Sequence, residues 1–101
     1  MTRLFISQPM RDKTDEEIIS ARERVLEDAR EQIGKEVIPI DSFFPRALIH
    51  GNKPLHLLGK SLVLMSTADV AYFAKDWEQY RGCRIEHTCA EEYGIPILYE
   101  T

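Results

Sequence analysis

The apolar residues of this chain fall into four short runs separated by three longer segments with helical spacing. The short runs predict strands over residues 4–6, 36–40, 68–74 and 95–99. The longer segments predict helices over residues 14–33, 52–65 and 82–93. Strands that alternate with helices form parallel sheets with right-handed crossovers. The pattern therefore predicts an α/β three-layer sandwich, with four to five parallel strands and helices on both faces.

Local signals support several of these boundaries. Thr14 and Glu17 have the spacing of a capping box at the start of the first helix, and Gly34 follows its last turn. Pro39 lacks a backbone donor, which predicts that the second strand lies at a sheet edge. The third run is largely apolar after Asp69, which is typical of a central strand that is covered on both faces.

The second predicted helix is apolar on more than one side. Its apolar residues are Leu55, Leu57, Leu58, Leu62, Val63 and Met65. Such a helix should be well buried, and we expect a homodimer or higher homo-oligomer in which it contacts a second copy. The loop before it is long for a small domain, and its Phe43 and Phe44 predict that a ring packs on the core or on a ligand.

Composition narrows the classes of function. The chain has 101 residues, enough for one domain, and a formal net charge of −4, which argues against binding a nucleic acid polymer. Two cysteines do not make a disulfide framework and favour a reducing compartment. No apolar run approaches the length of a membrane span. We expect a cytoplasmic protein with no membrane partner.

Acidic residues recur from the third strand into the third helix, at the sheet edge where ligands of parallel α/β proteins bind. Two interpretations of Glu86 stand on equal terms. It favours the dipole of a helix terminus, or it is a functional carboxylate, because it falls where the helix must pack on the sheet. Asp69 is more simply a turn residue. Ser7 and Arg11 follow the first strand, where a phosphate or hydroxyl-rich ligand would sit.

Cysteine and histidine residues suggest a metal only weakly. Cys83 and His87 share a helix face, but Cys89 points elsewhere and no second cluster supplies the ligands of a zinc site. We expect no metal and no cofactor.

Three stretches of the chain resemble the nucleoside 2-deoxyribosyltransferase superfamily, and in particular a group of short, often phage-associated chains. These stretches are residues 5–10 (Phe-Ile-Ser-Gln-Pro-Met), residues 40–44 (Ile-Asp-Ser-Phe-Phe) and residues 68–87. The most specific feature is Gly82, four residues before Glu86. The resemblance covers nearly the whole chain and implies a single flavodoxin-like or Rossmann-like domain over residues 1–101.

In that superfamily a helix glutamate attacks C1′ of a deoxyribosyl group and forms a covalent intermediate, which an acceptor base or water resolves. The resemblance implies that Glu86 is the nucleophile, with its charge supported by the helix N-terminus, and that Asp69 is the acid. The other implied substrate contacts are Ser7, Gln8, Pro9, Met10, Arg11, Asp41, Phe43, Trp77, Glu78, Gly82 and Cys83.

The expected activity is therefore 2-deoxyribosyl transfer or hydrolysis of an N-glycosidic bond, with a nucleoside or nucleotide as substrate. The alternative is a non-catalytic nucleotide-binding or structural oligomerisation module that retains the fold.

Overall fold

The protein folds around one parallel sheet. The structure is a computed structural model that describes residues 1–41 and 51–101. Its elements are β1 (Thr2–Ser7), α1 (Asp15–Ile33), β2 (Val37–Pro39), α2 (Lys53–Met65), β3 (Val70–Phe73), a 3₁₀ turn (Trp77–Gln79), α3 (Arg81–Glu92) and β4 (Ile97–Tyr99). In the described ranges the sheet has four strands, all parallel, in the order β2–β1–β3–β4. The predicted α/β fold is confirmed, and it is compatible with a flavodoxin-like sandwich.

Strand β1 contributes to two separate cores, because successive residues of a strand point to opposite faces of the sheet. Leu4 packs with Val25 of α1 on one face. Phe5 packs with Met65 of α2 and Ala90 of α3 on the other face. The sheet is therefore covered on both sides, with α1 on one and α2 and α3 together on the other.

The first helix begins and ends where the sequence predicts. The Thr14 hydroxyl accepts a hydrogen bond from the Glu17 N–H at 3.1 Å, and the Glu17 carboxylate accepts one from the Thr14 N–H at 3.0 Å. Gly34 follows the last turn with φ 138°, a conformation that favours glycine. Pro39 lies on β2, which is an edge strand as predicted.

We expect Thr14→Ala to lower the free energy of unfolding by about 1 kcal/mol, because the first turn of α1 loses a capped N–H. Ser20→Ala, at an exposed position of the same helix, is the matched control and should change stability by less than about 0.5 kcal/mol. Urea unfolding measures both. Equal losses in the two variants would contradict the capping assignment.

Helix α2 is more exposed than its sequence suggests. Among its described residues only Met65 is buried, whereas Leu55 is 64% and Val63 67% exposed. The expectation that this helix is well buried is wrong for a single chain. Helical periodicity indicates how apolar a helix is, but a four-stranded sheet has room on this face for only part of α2 beside α3. No helix in the described ranges has the length and apolar character needed to cross a membrane.

From β1 the chain passes through α1 to β2 on one side of the sheet, whereas from β3 it passes through α3 to β4 on the other side. The direction in which strands are added therefore reverses between β1 and β3. Ligands of open parallel sheets bind in the crevice at such a reversal, outside the carboxyl ends of the strands. Ser7 ends β1 here and is paired with Phe73, the last residue of β3.

Candidate functional site

Ser7 and Glu86 meet at this reversal point. Ser7 lies two residues after Phe5 on β1, so it faces α3, and Glu86 comes from the second turn of that helix. The Ser7 hydroxyl donates a hydrogen bond of 2.7 Å to Oε1 of Glu86. Ser7 is 2% and Glu86 8% exposed. Two predicted site residues, 79 positions apart in the chain, thus form one buried pair.

Burial decides the charge of this carboxyl. Loss of solvation raises the pKa of Glu86 to about 7, and the hydrogen bond from Ser7 opposes that rise only in part. The expected support of this charge by the helix N-terminus does not offset the effect of burial on the pKa. Helix α3 begins at Arg81, so Glu86 lies in its second turn. The helix dipole acts mainly within the first turn. The carboxyl therefore changes charge near neutral pH.

The two carboxyl oxygens of Glu86 differ in their contacts. In the described part of the chain, Ser7 alone donates a hydrogen bond to this side chain, and it does so at Oε1. No donor to Oε2 lies among the described residues, and Glu86 is 8% exposed. One oxygen is held in place and the other has no donor among the described residues, which suits a group that must attack a bound substrate.

Cys83 lies one helical turn before Glu86 and is 5% exposed. Its burial raises the pKa of the thiol to about 11, the negative charge of Glu86 adds to that rise, and a hydrogen bond with Ser7 opposes it. The thiol is therefore neutral at physiological pH. Cys83 packs beside the carboxyl as a small apolar group and is a poor nucleophile.

Two segments border the site. The β1–α1 loop carries the positive charge of Arg11, and the start of α3 has backbone N–H groups without a side-chain cap. The Arg11 guanidinium lies 5.9 Å from the centre of the Tyr80 ring, which joins the β1–α1 loop to the start of α3. Its ion pair with Asp12 is long, at 3.9 Å, and both side chains are exposed. The first turn of α3 has no side-chain cap, and space is open beside Gly82. An anion could meet both segments here.

Gln8, Pro9 and Met10 continue from β1, but the structure does not bring Gln8 to Glu86. Gln8 is buried on the α1 side, where its Nε2 donates to the Ile18 carbonyl at 3.0 Å. Its Oε1 is enclosed and has no partner among the described residues. Pro9 and Met10 are half-buried in the turn that leads to α1. These three residues shape the loop beside the site.

Trp77 and Glu78 lie in the 3₁₀ turn between β3 and α3. The Trp77 ring stacks on His87, with ring centres 4.1 Å apart, and the Glu78 carbonyl accepts a hydrogen bond from Arg84 at 2.9 Å. The sequence predicts a polar turn between the third strand and the third helix, and the structure forms it as a 3₁₀ turn. It carries both residues to the carboxyl edge of the sheet, beside α3.

Asp69 is not brought to Glu86. It precedes β3 at the opposite edge of the sheet, where its carboxylate accepts a hydrogen bond of 2.8 Å from the Arg3 N–H. The length of β3 separates it from the carboxyl edge by roughly 15 Å. The expected catalytic acid is therefore, in this structure, a capping residue that ties β3 to β1.

The two remaining predicted contacts follow β2. Asp41 is exposed just after that strand, beside Arg22, whose guanidinium donates to the Ile40 carbonyl at 2.5 Å. Asp41 lies at the carboxyl edge of the sheet, on the far side of β1 from Glu86. Phe43 lies outside the described residues.

Sequence reasoning missed Tyr99, whose hydroxyl lies 2.6 Å from Nε2 of His87. Nothing in its strand distinguishes it, and only the pairing of β4 with β3 brings it to α3. Comparisons of the chain with protein-family models, with curated proteins and with solved structures found no match. The likeness to the deoxyribosyltransferases thus stays a resemblance, and function has to follow from the geometry of the site.

Proposed function

We propose that this protein breaks the N-glycosidic bond of a nucleoside or nucleotide, by hydrolysis or by transfer of the sugar, with Glu86 as nucleophile. The observation that supports the proposal most is the buried Glu86 carboxyl, oriented by Ser7 at the crevice where the strand order reverses. A carboxyl placed there costs stability, because burial disfavours its charge, and such groups concentrate at functional sites.

The chemistry needs two displacements at one carbon. Oε2 of Glu86 attacks C1′, the bond from C1′ to the base nitrogen breaks, and its electron pair stays with the base, which takes up a proton. Water or a second base then bonds to C1′ and gives up a proton, while the bond from C1′ to Glu86 breaks and releases the carboxylate. Ser7 holds Oε1 throughout, so that the attacking oxygen keeps its direction. A pKa of about 7 leaves a large fraction of the carboxyl ionised at physiological pH.

A 5′-phosphate on the substrate fits the charges at the mouth of the site. Arg11 offers an exposed guanidinium, and the uncapped first turn of α3 offers backbone N–H groups around Gly82. Guanidinium groups and helix N-termini are common partners of phosphate oxygens. We therefore include nucleoside 5′-monophosphates in the proposed substrate class.

Covalent trapping tests the proposal. Incubation with a 2′-fluoro-2′-deoxynucleoside or its 5′-monophosphate should add the mass of one fluorinated sugar, since fluorine at C2′ slows release of the intermediate. Intact mass spectrometry measures the adduct. It should be absent in Glu86→Gln and present in Glu92→Gln, an exposed glutamate on the same helix.

No adduct, together with no base release from any nucleoside or nucleotide, would sink the proposal. Thermal stabilisation by a nucleotide without turnover would instead identify a non-catalytic binding module.

We also propose that the protein forms a homo-oligomer through α2. Leu55 and Val63 leave an apolar surface on this helix, at 64% and 67% exposure. Size-exclusion chromatography with light scattering should find a dimer or larger species. A clean monomer at micromolar concentration would contradict this part of the proposal.

A further inference from the structure

The ends of three strands form one row beneath α3. Ser7 of β1 is paired with Phe73 of β3, and Phe73 is paired with Tyr99 of β4. Neighbouring strands are roughly 5 Å apart, so the Cα atoms of Ser7 and Tyr99 are separated by roughly 10 Å. Consecutive residues of α3 reach the two ends of this row, with Glu86 on Ser7 and His87 on Tyr99. Two polar pairs thus lie on either side of Phe73.

His87 is held on every side by its contacts. Its Nε2 lies 2.6 Å from the Tyr99 hydroxyl, and its Nδ1 lies 3.2 Å from the Glu91 carboxylate. The Trp77 ring stacks on the imidazole at an interplanar angle of 15°, and Phe73 packs against it edge-on at 4.9 Å. These contacts fix the ring plane, and they aim one nitrogen at Glu91 and the other at Tyr99.

The arrangement can move a proton in either direction. Because an ionised carboxylate only accepts hydrogen bonds, Glu91 favours a proton on Nδ1 of His87. Nε2 of the neutral imidazole then accepts from the Tyr99 hydroxyl, whereas Nε2 of the imidazolium donates to it. Tyr99 can therefore give up its own proton and be supplied with another from His87.

Tyr99 also borders an open cleft. The cleft has a volume of about 430 Å³ at the carboxyl ends of β3 and β4, and its lining includes the partly exposed aromatic residues Trp77 and Tyr99. Ligand sites commonly have this size, and flat aromatic surfaces suit a planar heterocycle. The Tyr99 side chain, 48% exposed, connects the cleft to the histidine.

We propose that Tyr99 is the acid that protonates the departing base, with His87 and Glu91 as positioning residues, and that the base leaves into the cleft beside Trp77. This inference rests on the proposed function. It fills the role that Asp69, at the opposite edge of the sheet, is not placed to fill.

The proton and electron balance closes within the site. As Oε2 of Glu86 bonds to C1′, the glycosidic electron pair passes to the base, and a base nitrogen takes the proton of the Tyr99 hydroxyl. The His87 imidazolium returns a proton to Tyr99 through Nε2. In hydrolysis, water gives its proton to Tyr99 and onward to His87, while its oxygen bonds to C1′ and the bond to Glu86 breaks.

Two substrates separate this role from a structural one. A purine 2′-deoxynucleoside 5′-monophosphate needs a proton on its leaving base, whereas its N7-methylated form already carries a positive charge and needs none. We expect Tyr99→Phe to lower kcat about 10²-fold or more on the first substrate and less than about threefold on the second. His87→Phe keeps a ring against Trp77 and should lower kcat about tenfold, again on the unmethylated substrate alone. Tyr93→Phe, an exposed tyrosine, is the control.

The outcomes are distinct. Equal losses of kcat on both substrates, or no loss in Tyr99→Phe and His87→Phe, overturn the inference and leave the proposed function standing. A wild-type protein that releases no base from either substrate overturns the inference, and one that releases none from any nucleoside or nucleotide and forms no adduct overturns the proposed function as well. Thermal melting of each variant shows whether it is folded. If Tyr99→Phe fails to fold, His87→Phe decides the inference, through its loss of kcat on the unmethylated substrate relative to that on the N7-methylated one.

Discussion

At pH 8, the free energy of unfolding of the Glu86→Gln variant is expected to exceed that of the wild-type protein by about 3 kcal/mol. In the folded protein burial raises the pKa of Glu86 from its ordinary value of 4.5 to about 7. Between these two values the folded state holds a proton that the unfolded state has lost. Wild-type stability therefore falls as the pH rises through this interval, and the loss is complete above the folded pKa.

Glutamine keeps the shape of the side chain and a carbonyl oxygen that accepts from Ser7, but it has no proton to lose. The difference between variant and wild type should be about 1 kcal/mol at pH 5 and about 3 kcal/mol at pH 8. Urea unfolding at both pH values measures it. Glu92→Gln, an exposed neighbour on α3, should show no such dependence. If the free energies of unfolding of wild type and Glu86→Gln change equally with pH, burial does not raise the pKa of Glu86.

The same substitution should remove activity. If Glu86 is the nucleophile, we expect base release by Glu86→Gln to fall about 10⁴-fold or more, because no other step replaces the covalent intermediate. A variant that is more stable and yet inactive is what a functional carboxyl predicts, since such sites commonly sacrifice stability for chemistry. Higher stability with unchanged nucleotide binding and no turnover in either protein would instead favour the binding module.

The second large effect concerns the fold. Phe5→Ala should lower the free energy of unfolding by about 3–5 kcal/mol, because Phe5 is 1% exposed and its removal leaves a cavity between the sheet, α2 and α3. A domain of this size loses roughly 4–8 °C of melting temperature per kcal/mol, so the midpoint should fall by roughly 12–40 °C.

Tyr93→Ala provides the matched control. It also removes an aromatic ring, but Tyr93 is 84% exposed, and the change should be within about 0.5 kcal/mol. Calorimetry or circular dichroism measures both variants. If the two substitutions lower the melting temperature equally, Phe5 does not occupy the core described here.

The sequence by itself determines the architecture, because its signals are local. The period of the apolar residues distinguishes strands from helices, and the spacing of Thr14 and Glu17 specifies a capping box that forms within one turn. Pro39 lacks an N–H wherever the strand lies, which is why it could be assigned to an edge before the sheet was known. Ser7 and Glu86 were also singled out from their positions at the ends of elements.

Only the tertiary structure decides which of these side chains meet. Strand order and register bring Ser7 to Glu86 across 79 residues and bring the Asp69 carboxylate to the Arg3 N–H. The same pairing brings Tyr99 to His87, a contact that no local pattern encodes. The sign of the Glu86 pKa shift also depends on the fold, because helix position suggested a favoured charge whereas burial against the sheet disfavours it. Solvation and contact are non-local quantities, set by residues that are far apart in the chain.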